Sequence, residues 1–425
     1  MVAKRQSVRW DWITVFLMFL GYSGYYLCRS NFSVAKPFLL AEYPGVVTKD
    51  VLGSIASISI LFYAGGKFLF GSLADLFKGR RLFLFGMIGA IICTVLLGVG
   101  GPPIFLLAVC SNRLVQSSGW VGMVKITSRW FGGNQYGRVM AFISLSFLFG
   151  DFASRQFIGA LFEAKLPWQT VFYICAGVLA LILIPAAFFL RDTPGERGLE
   201  EPAASEKALV ADEVAERPNA WAVMRPLITN GTFITVCVLS FGFTFMRETF
   251  NEWIPTFLTE AAKMPKEQAG QASSYFPLFG GLSVIACGFL SDRFRTMGSA
   301  LLLAGGLILG TVGLYGLSVL QSNDPNTYVM ATAAIGFVLI GPYSLLAGTI
   351  SLDFGGKAAS STAAGWIDGV GYIGGILSGK LIADVATKQG WSAAFQLLAV
   401  VAGLSAVVAI FYALAERRRA TAKSA

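Results

Sequence analysis

Apolar residues gather along the chain in blocks of about twenty or more, each closed by a short polar stretch. Twelve such blocks occur, over residues 12–39, 50–76, 82–101, 103–128, 136–162, 168–190, 230–258, 269–291, 297–318, 326–350, 359–386 and 392–415. Each can cross a hydrocarbon core of about 30 Å as a helix. The pattern therefore predicts an all-α membrane protein with twelve transmembrane helices. One block breaks its own pattern: "GYYLCRSNF", residues 24–32, sets Arg29 within an apolar run.

Composition agrees. The 425 residues are 55% hydrophobic and 13% charged, with a mean hydropathy of +0.65; soluble domains carry about a quarter charged residues. The formal charge of +9 does not point to nucleic acid, because the basic residues occupy alternate loops. Lys4, Arg5, Arg9, Lys78, Arg80, Arg81, Arg129, Arg138, Arg293, Arg295, Arg417, Arg418 and Arg419 fall on one side if the twelve spans alternate. The positive-inside rule makes that side cytoplasmic, with both termini there, and a bacterial inner (plasma) membrane is the expected home. The first span lacks a small-residue cleavage site and is too long for a signal-peptide core. All six cysteines lie within predicted spans and are expected to act as small apolar residues without disulfides. With no histidine and no Cys-x-x-Cys, neither structural zinc nor another metal or cofactor is expected.

Between residues 192 and 226 the hydropathy collapses into a Pro-, Ala- and Glu-rich stretch, read as a cytoplasmic linker. It separates an N-terminal six-helix bundle (1–191) from a C-terminal one (227–416), and a basic cytoplasmic tail follows (417–425). Six spans on either side invite a search for a repeat. "GSLADLFKGRR" follows the second span and "GFLSDRFR" the eighth, so each half carries Gly-x-Leu-x-Asp at the same turn. Asp75 and Asp292 lie 217 positions apart. The glycine admits close helix approach, and an aspartate at a helix end can hold a neighbouring arginine or helix N-terminus in one conformational state. Asp75, Arg80, Arg81, Asp292 and Arg293 are thus candidate gate-loop residues. "GSLADLFKGRR" resembles the loop signature of the major facilitator superfamily, and the second copy fits its other half. The resemblance implies two six-helix bundles around a central cavity that opens to alternate sides, with substrate near the midplane.

Charges within spans are costly and mark pathways or sites. Arg29 lies 18 residues past Asp11 and Arg247 lies 17 past Asn230, the expected start of the seventh span. At 1.5 Å rise per residue their depths match to within about 2 Å, and their separation of 218 fits the repeat. They are pseudo-symmetric mates. No acidic residue lies within a turn of Arg29, so its counter-charge must come from another helix or a ligand; the alternative is snorkelling to the outer interface. Near Arg247, "MRETFNEW" supplies Glu248 and Glu252 on one face. They can buffer the arginine as a structural ion pair, bind a cation, or line the pathway with Asn251. Two arginines across a cavity suit phosphate, since each planar fork can donate two parallel hydrogen bonds. Lys67 lies deep in the second span with Tyr63 one turn earlier, and rise counting puts it about 10 Å or more below the arginines. Tyr22 and Tyr26 share the face of Arg29; such aromatic stripes also serve as packing. Asp151 and Arg155 read most simply as an i, i+4 pair, with Asp151 also a candidate coupling or pathway residue. Asp368 can be protonated, paired to Arg247, or part of ion coupling. Arg113 and Lys125 lie on the fourth span, Lys125 at its cytoplasmic end.

With "GYSGYYLCRSNF", "FYAGGKFLFGSLAD", "MRETFNEWIPTFL" and "STAAGWIDGVGYIGG", the chain resembles the organophosphate:phosphate antiporter family over essentially its whole length. Its members exchange sugar or glycerol phosphates for inorganic phosphate. The resemblance implies that Arg29 and Arg247 are paired phosphate-binding arginines, that Lys67 is the second-helix lysine, and that Tyr22, Tyr26, Tyr63 and Tyr372 are pocket tyrosines. Glycerol-phosphate members carry a histidine where Phe147 stands here, an acid where Pro277 stands, and a tyrosine at Ile340. The residues that read the organic group therefore differ.

The expected activity is exchange of an organic phosphate (a sugar phosphate, a glycerol-phosphate-like compound or a phosphonate) for inorganic phosphate by alternating access, by a functional monomer. One rival is a proton- or sodium-coupled symporter of an organic carboxylate using Glu248, Glu252 or Asp368. Another is a non-transporting membrane sensor of sugar phosphate, as in one branch of the family. No nucleophile, base and orienter constellation suggests an enzyme.

Overall fold

The structure, a computed structural model, describes residues 2–73, 77–131, 133–200, 225–293 and 298–424. Asp75, residues 201–224 of the expected linker and the side chain of Asp292 lie outside the described residues. Among the described residues the chain is helical throughout: α1 (Val2–Glu42), α2 (Lys49–Leu73), α3 (Gly79–Gly100), α4 (Phe105–Trp130), α5 (Gly133–Glu163), α6 (Trp168–Phe189), α7 (Gly231–Glu260), α8 (Lys266–Ala272), α9 (Tyr275–Arg293), α10 (Gly298–Val319), α11 (Pro325–Leu345) and α12 (Ser351–Ser424). In lipid a helix satisfies every backbone group within its own segment, which is why apolar blocks of this length adopt it.

The elements follow the hydropathy blocks with three differences. The eighth block is split into α8 and α9 by a turn at Ser273 and Ser274. The eleventh and twelfth both belong to α12, where Gly390, with φ of 86°, stands in the gap between them; this left-handed backbone suits a residue without Cβ. α12 also runs on to Ser424, so the basic tail is helical. Between α11 and α12 a π-helical turn, Leu346–Ile350, closes the tenth block. Eight of the described helices are long and apolar enough to cross a membrane by length and composition, the last of them over Ala363–Arg417 of α12. Of the expected spans, α1, α4 and α5 fall outside that group. These three carry Arg29 and Lys36, Arg113 and Lys125, and Asp151 and Arg155.

The chain divides into two compact units: Met1–Val47 with Ile58–Glu213, and Thr48–Ser57 with Val214–Ala425. In the first unit α1 packs on α5 and α6, and α3 on α4 and α6. Met18, Tyr25, Phe83, Met87, Met123, Ile126 and Leu179 are fully buried at its core. Tyr25 donates from its hydroxyl to Phe83 O at 2.5 Å, and a Cβ on Gly119 would meet its ring at 2.8 Å; the glycine lets the phenol lie against α4. Residues 191–197, at the head of the expected linker, are folded onto this unit. Asp192 accepts from Arg80 N at 2.9 Å, and Trp130 Nε1 donates to Arg191 O at 2.9 Å. Arg197 lies 3.8 Å from the centroid of the Trp10 ring. The Lys78 ammonium, 2.7 Å from Glu196, holds that carboxyl below the usual carboxylate range.

In the second unit α7 packs on α12, α10 on α11 and α12, and α9 on α11. The pairings of α3 with α4 and α6 thus recur as those of α10 with α11 and α12, which is the internal repeat seen as packing. Asn230 caps α7 by accepting from Thr232 N and Phe233 N at 3.0 and 3.1 Å, the start expected from the sequence. The first turns of α2, residues 48–57, belong to this unit. There Lys49 pairs with Glu260 at 2.9 Å, and Lys380 pairs with Asp50 and with Asp384.

Candidate functional site

In the first unit Arg29 projects from α1 into a neutral polar setting. Its Nε donates to Gln116 Oε1 of α4 at 2.8 Å and its Nη1 to the Tyr26 hydroxyl at 3.3 Å. The guanidinium carbon lies 4.9 Å from the ring centroid of Tyr26 and 4.8 Å from that of Tyr63 on α2, both cation–π distances. No carboxylate pairs with Arg29 among the described residues. The side chain is engaged by α2 and α4 within the unit. Gln116 is itself buried and locked, donating to Cys28 O at 3.4 Å and to Asn112, whose own amide donates to Cys28 O at 2.9 Å. These amides fix the plane of the guanidinium.

Lys67 is brought to the same ring: its Nζ lies 5.4 Å from the Tyr63 centroid. The depth difference expected from rise counting does not keep the two cations on separate groups, because a long side chain spans it. Two cations, Arg29 and Lys67, thus lie on one buried phenol. Tyr22 is placed differently from its neighbours. It sits in the core, its ring 5.7 Å from Tyr25, 6.2 Å from Tyr26 and 5.6 Å from Trp120, so it supports Tyr26 from behind.

In the second unit Arg247 on α7 donates from Nη2 to Glu248 at 2.5 Å. Its guanidinium carbon lies 4.5 Å from the ring centroid of Tyr343 on α11, and Tyr372 on α12 acts on it electrostatically. Its Nε is buried without a hydrogen-bond partner. Asp368 is not its counter-ion; Glu248 is. Glu252 is buried one turn beyond Glu248, and Asn251 and Asp368 are half-buried.

The remaining expected residues have other places. Asp151 and Arg155 form a buried ion pair at 3.0 Å, and the Ser30 hydroxyl donates to the same carboxylate. Arg80 donates from Nη2 to Ala187 O at 2.5 Å, and Arg81 and Arg293 are exposed. Lys125 donates to Phe77 O at 2.8 Å. Of the positions that differ from the glycerol-phosphate pattern, Phe147 packs on the first unit's core. Pro277 is buried in α9, and Ile340 packs against Gly280 of α9.

Sequence reasoning missed Gln116 and Tyr343. Gln116 carried a signal, an amide one turn after Asn112 within an apolar block. Tyr343 follows Gly-Pro in "LIGPYS", while the expected tyrosine position lies before it.

Similarity to known proteins accords with this picture. A model of the Major Facilitator Superfamily matches residues 18–379. The chain is 26% identical to a glycerol-3-phosphate transporter of Bacillus subtilis, over 90% of this chain and 87% of that protein. It is 26% identical to the glucose-6-phosphate exchanger SLC37A2 of Xenopus tropicalis, over 90% and 88%. It is also 26% identical to the membrane sensor protein UhpC of Escherichia coli, over 95% and 92%. Among solved structures, a bacterial homolog of the human lysosomal transporter Spinster superposes with a TM-score of 0.74 at 15% identity, covering 96% of this chain and 97% of that one. A POT family transporter in complex with a peptide conjugate does so with 0.76 at 14% identity, covering 96% of each. The chain is a multi-pass transporter-fold membrane protein, not an enzyme, and it belongs to the major facilitator superfamily.

Proposed function

We propose that the protein exchanges an organic phosphate, or a phosphonate, for inorganic phosphate. The observation that carries this reading is the company of Arg29: a guanidinium within a membrane span, oriented by Gln116, Tyr26 and Tyr63 and met by no carboxylate among the described residues. Burying an uncompensated charge costs several kcal/mol, and a site that keeps one is suited to an anion that supplies the missing charge. A planar fork favours phosphate because two donors can meet two of its oxygens. Lys67 adds a point charge beside Tyr63, and Arg247 offers a second fork in its own unit. Distant relatives named as glycerol-3-phosphate and hexose-phosphate transporters support a phosphorylated substrate. The positive-inside pattern supports cytoplasmic termini in a bacterial inner membrane, and a single chain serves as the working unit.

Counterflow in proteoliposomes tests the reading. Vesicles loaded with inorganic phosphate take up radiolabelled phosphate or organophosphate, and vesicles without internal anion take up little. Uptake that ignores internal phosphate and collapses with a protonophore refutes exchange in favour of ion-coupled symport. The likeness to a membrane sensor favours a second reading, ligand sensing without transport; binding with no flux in either vesicle would support it.

A further inference from the structure

Arg29 and Arg247 hold matching places in the repeat but have different partners. Arg29 donates to a neutral amide and lies on two phenols. Arg247 is held by Glu248, the next residue in sequence, with the two side chains 17% and 11% exposed. Consecutive residues on a helix do not face one another, so these side chains must bend toward each other, and the contact is made through one nitrogen, Nη2. The buried Nε is left with no partner. A guanidinium offers five donors in a fixed fork, and the Glu248 carboxylate takes only part of it.

We propose that Glu248 is a resident counter-anion of Arg247, which an incoming phosphoryl group displaces, and that this competition makes the site select dianionic phosphoryl groups over carboxylates. The inference rests on the phosphoryl-binding reading of Arg247. A free monocarboxylate that displaces Glu248 exchanges one carboxylate for another and must also overcome the advantage of a tethered competitor. A dianionic phosphoryl group brings more charge and oxygens enough to meet Nη2 and the empty Nε together. Glu248 meanwhile repels every anion too weak to replace it. Selectivity then comes from a built-in repulsive element as well as from attraction.

The test uses purified full-length protein and ligand-induced shifts in Tm, with inorganic phosphate and acetate as probes. In Glu248→Gln the Kd for phosphate falls by about tenfold, the scale of one charge-assisted hydrogen bond. Acetate, inert toward the wild type, raises the Tm of this variant. Glu248→Asp, whose shorter arm weakens the pair without removing the charge, gives a phosphate Kd between wild type and Glu248→Gln and keeps the proposal testable should the glutamine variant fail to fold. An unchanged or higher phosphate Kd in either variant, beside normal binding by the wild type, overturns the competition. A different result overturns the reading beneath it: wild-type protein that ignores phosphate, or Arg247→Gln that binds it normally.

Discussion

Single residues divide into charges paired within the protein and those met by neutral groups, and burial alone does not separate them. Asp151 and Arg155 are both buried and charged, yet they satisfy each other at 3.0 Å with the Ser30 hydroxyl in support. Removing one partner strands the other. Asp151→Leu should therefore lower stability by about 3–5 kcal/mol, while Asp151→Leu with Arg155→Leu should recover most of the loss, because an apolar pair of similar size carries no desolvation cost. Melting of the purified variants checks this, and additive losses in the double variant would contradict it. The sequence alone announced this pair, because an i, i+4 spacing brings its own geometry. It could announce Arg29 too, as a charge in an apolar block. It could not announce Gln116 or Tyr343, because which side chain a neighbouring helix presents depends on the packing of helices distant in sequence.

At the scale of elements, helix contacts are set by small residues and by hydroxyls that enter a neighbour's backbone. In the second unit α2 meets α12 at Gly53, where a Cβ would lie 2.6 Å from Ala383 Cβ and 2.9 Å from Gly379 O. One turn on, Ser57 Oγ donates to Ile376 O at 2.5 Å and accepts from Lys380 N at 2.9 Å. The hydroxyl thus sits between a carbonyl and the amide four residues later in α12, an insertion of the kind that bends helices. Gly53→Val should cost about 1–3 kcal/mol by overpacking, and Ser57→Ala about 1 kcal/mol through the lost hydrogen bonds. Thermal melting reads both, and wild-type stability in Gly53→Val would contradict the contact. Hydropathy foretold where helices lie but not how they join. Neither the serine pair at the α8–α9 turn nor the lone Gly390 within α12 leaves an apolar signature, which is why the split between α8 and α9 and the fusion of two blocks into α12 were not legible. Residues 192–197 were read as linker because they lack apolar periodicity, yet polar contacts to Lys78, Arg80 and Trp10 fold them onto the first unit.

For the molecule as a whole, the repeat read from two loops has a counterpart in the packing, where α3 with α4 and α6 is matched by α10 with α11 and α12. Symmetry of scaffold does not extend to symmetry of charge: the first unit sets Arg29 and Lys67 on Tyr63, whereas the second pairs its arginine with Glu248. On the proposed reading, such a division gives the first unit the stronger hold on an anion and makes the second conditional on displacing a resident carboxylate. The most direct test of the central claim, that Arg29 and Arg247 are each required for phosphoryl binding, is phosphate counterflow in proteoliposomes with Arg29→Lys and Arg247→Lys. Each substitution keeps the charge and removes the fork. The account predicts that each folds and inserts normally but loses phosphate exchange by about 100-fold or more, the scale of losing two charge-assisted hydrogen bonds. Wild-type exchange rates in either variant would contradict it.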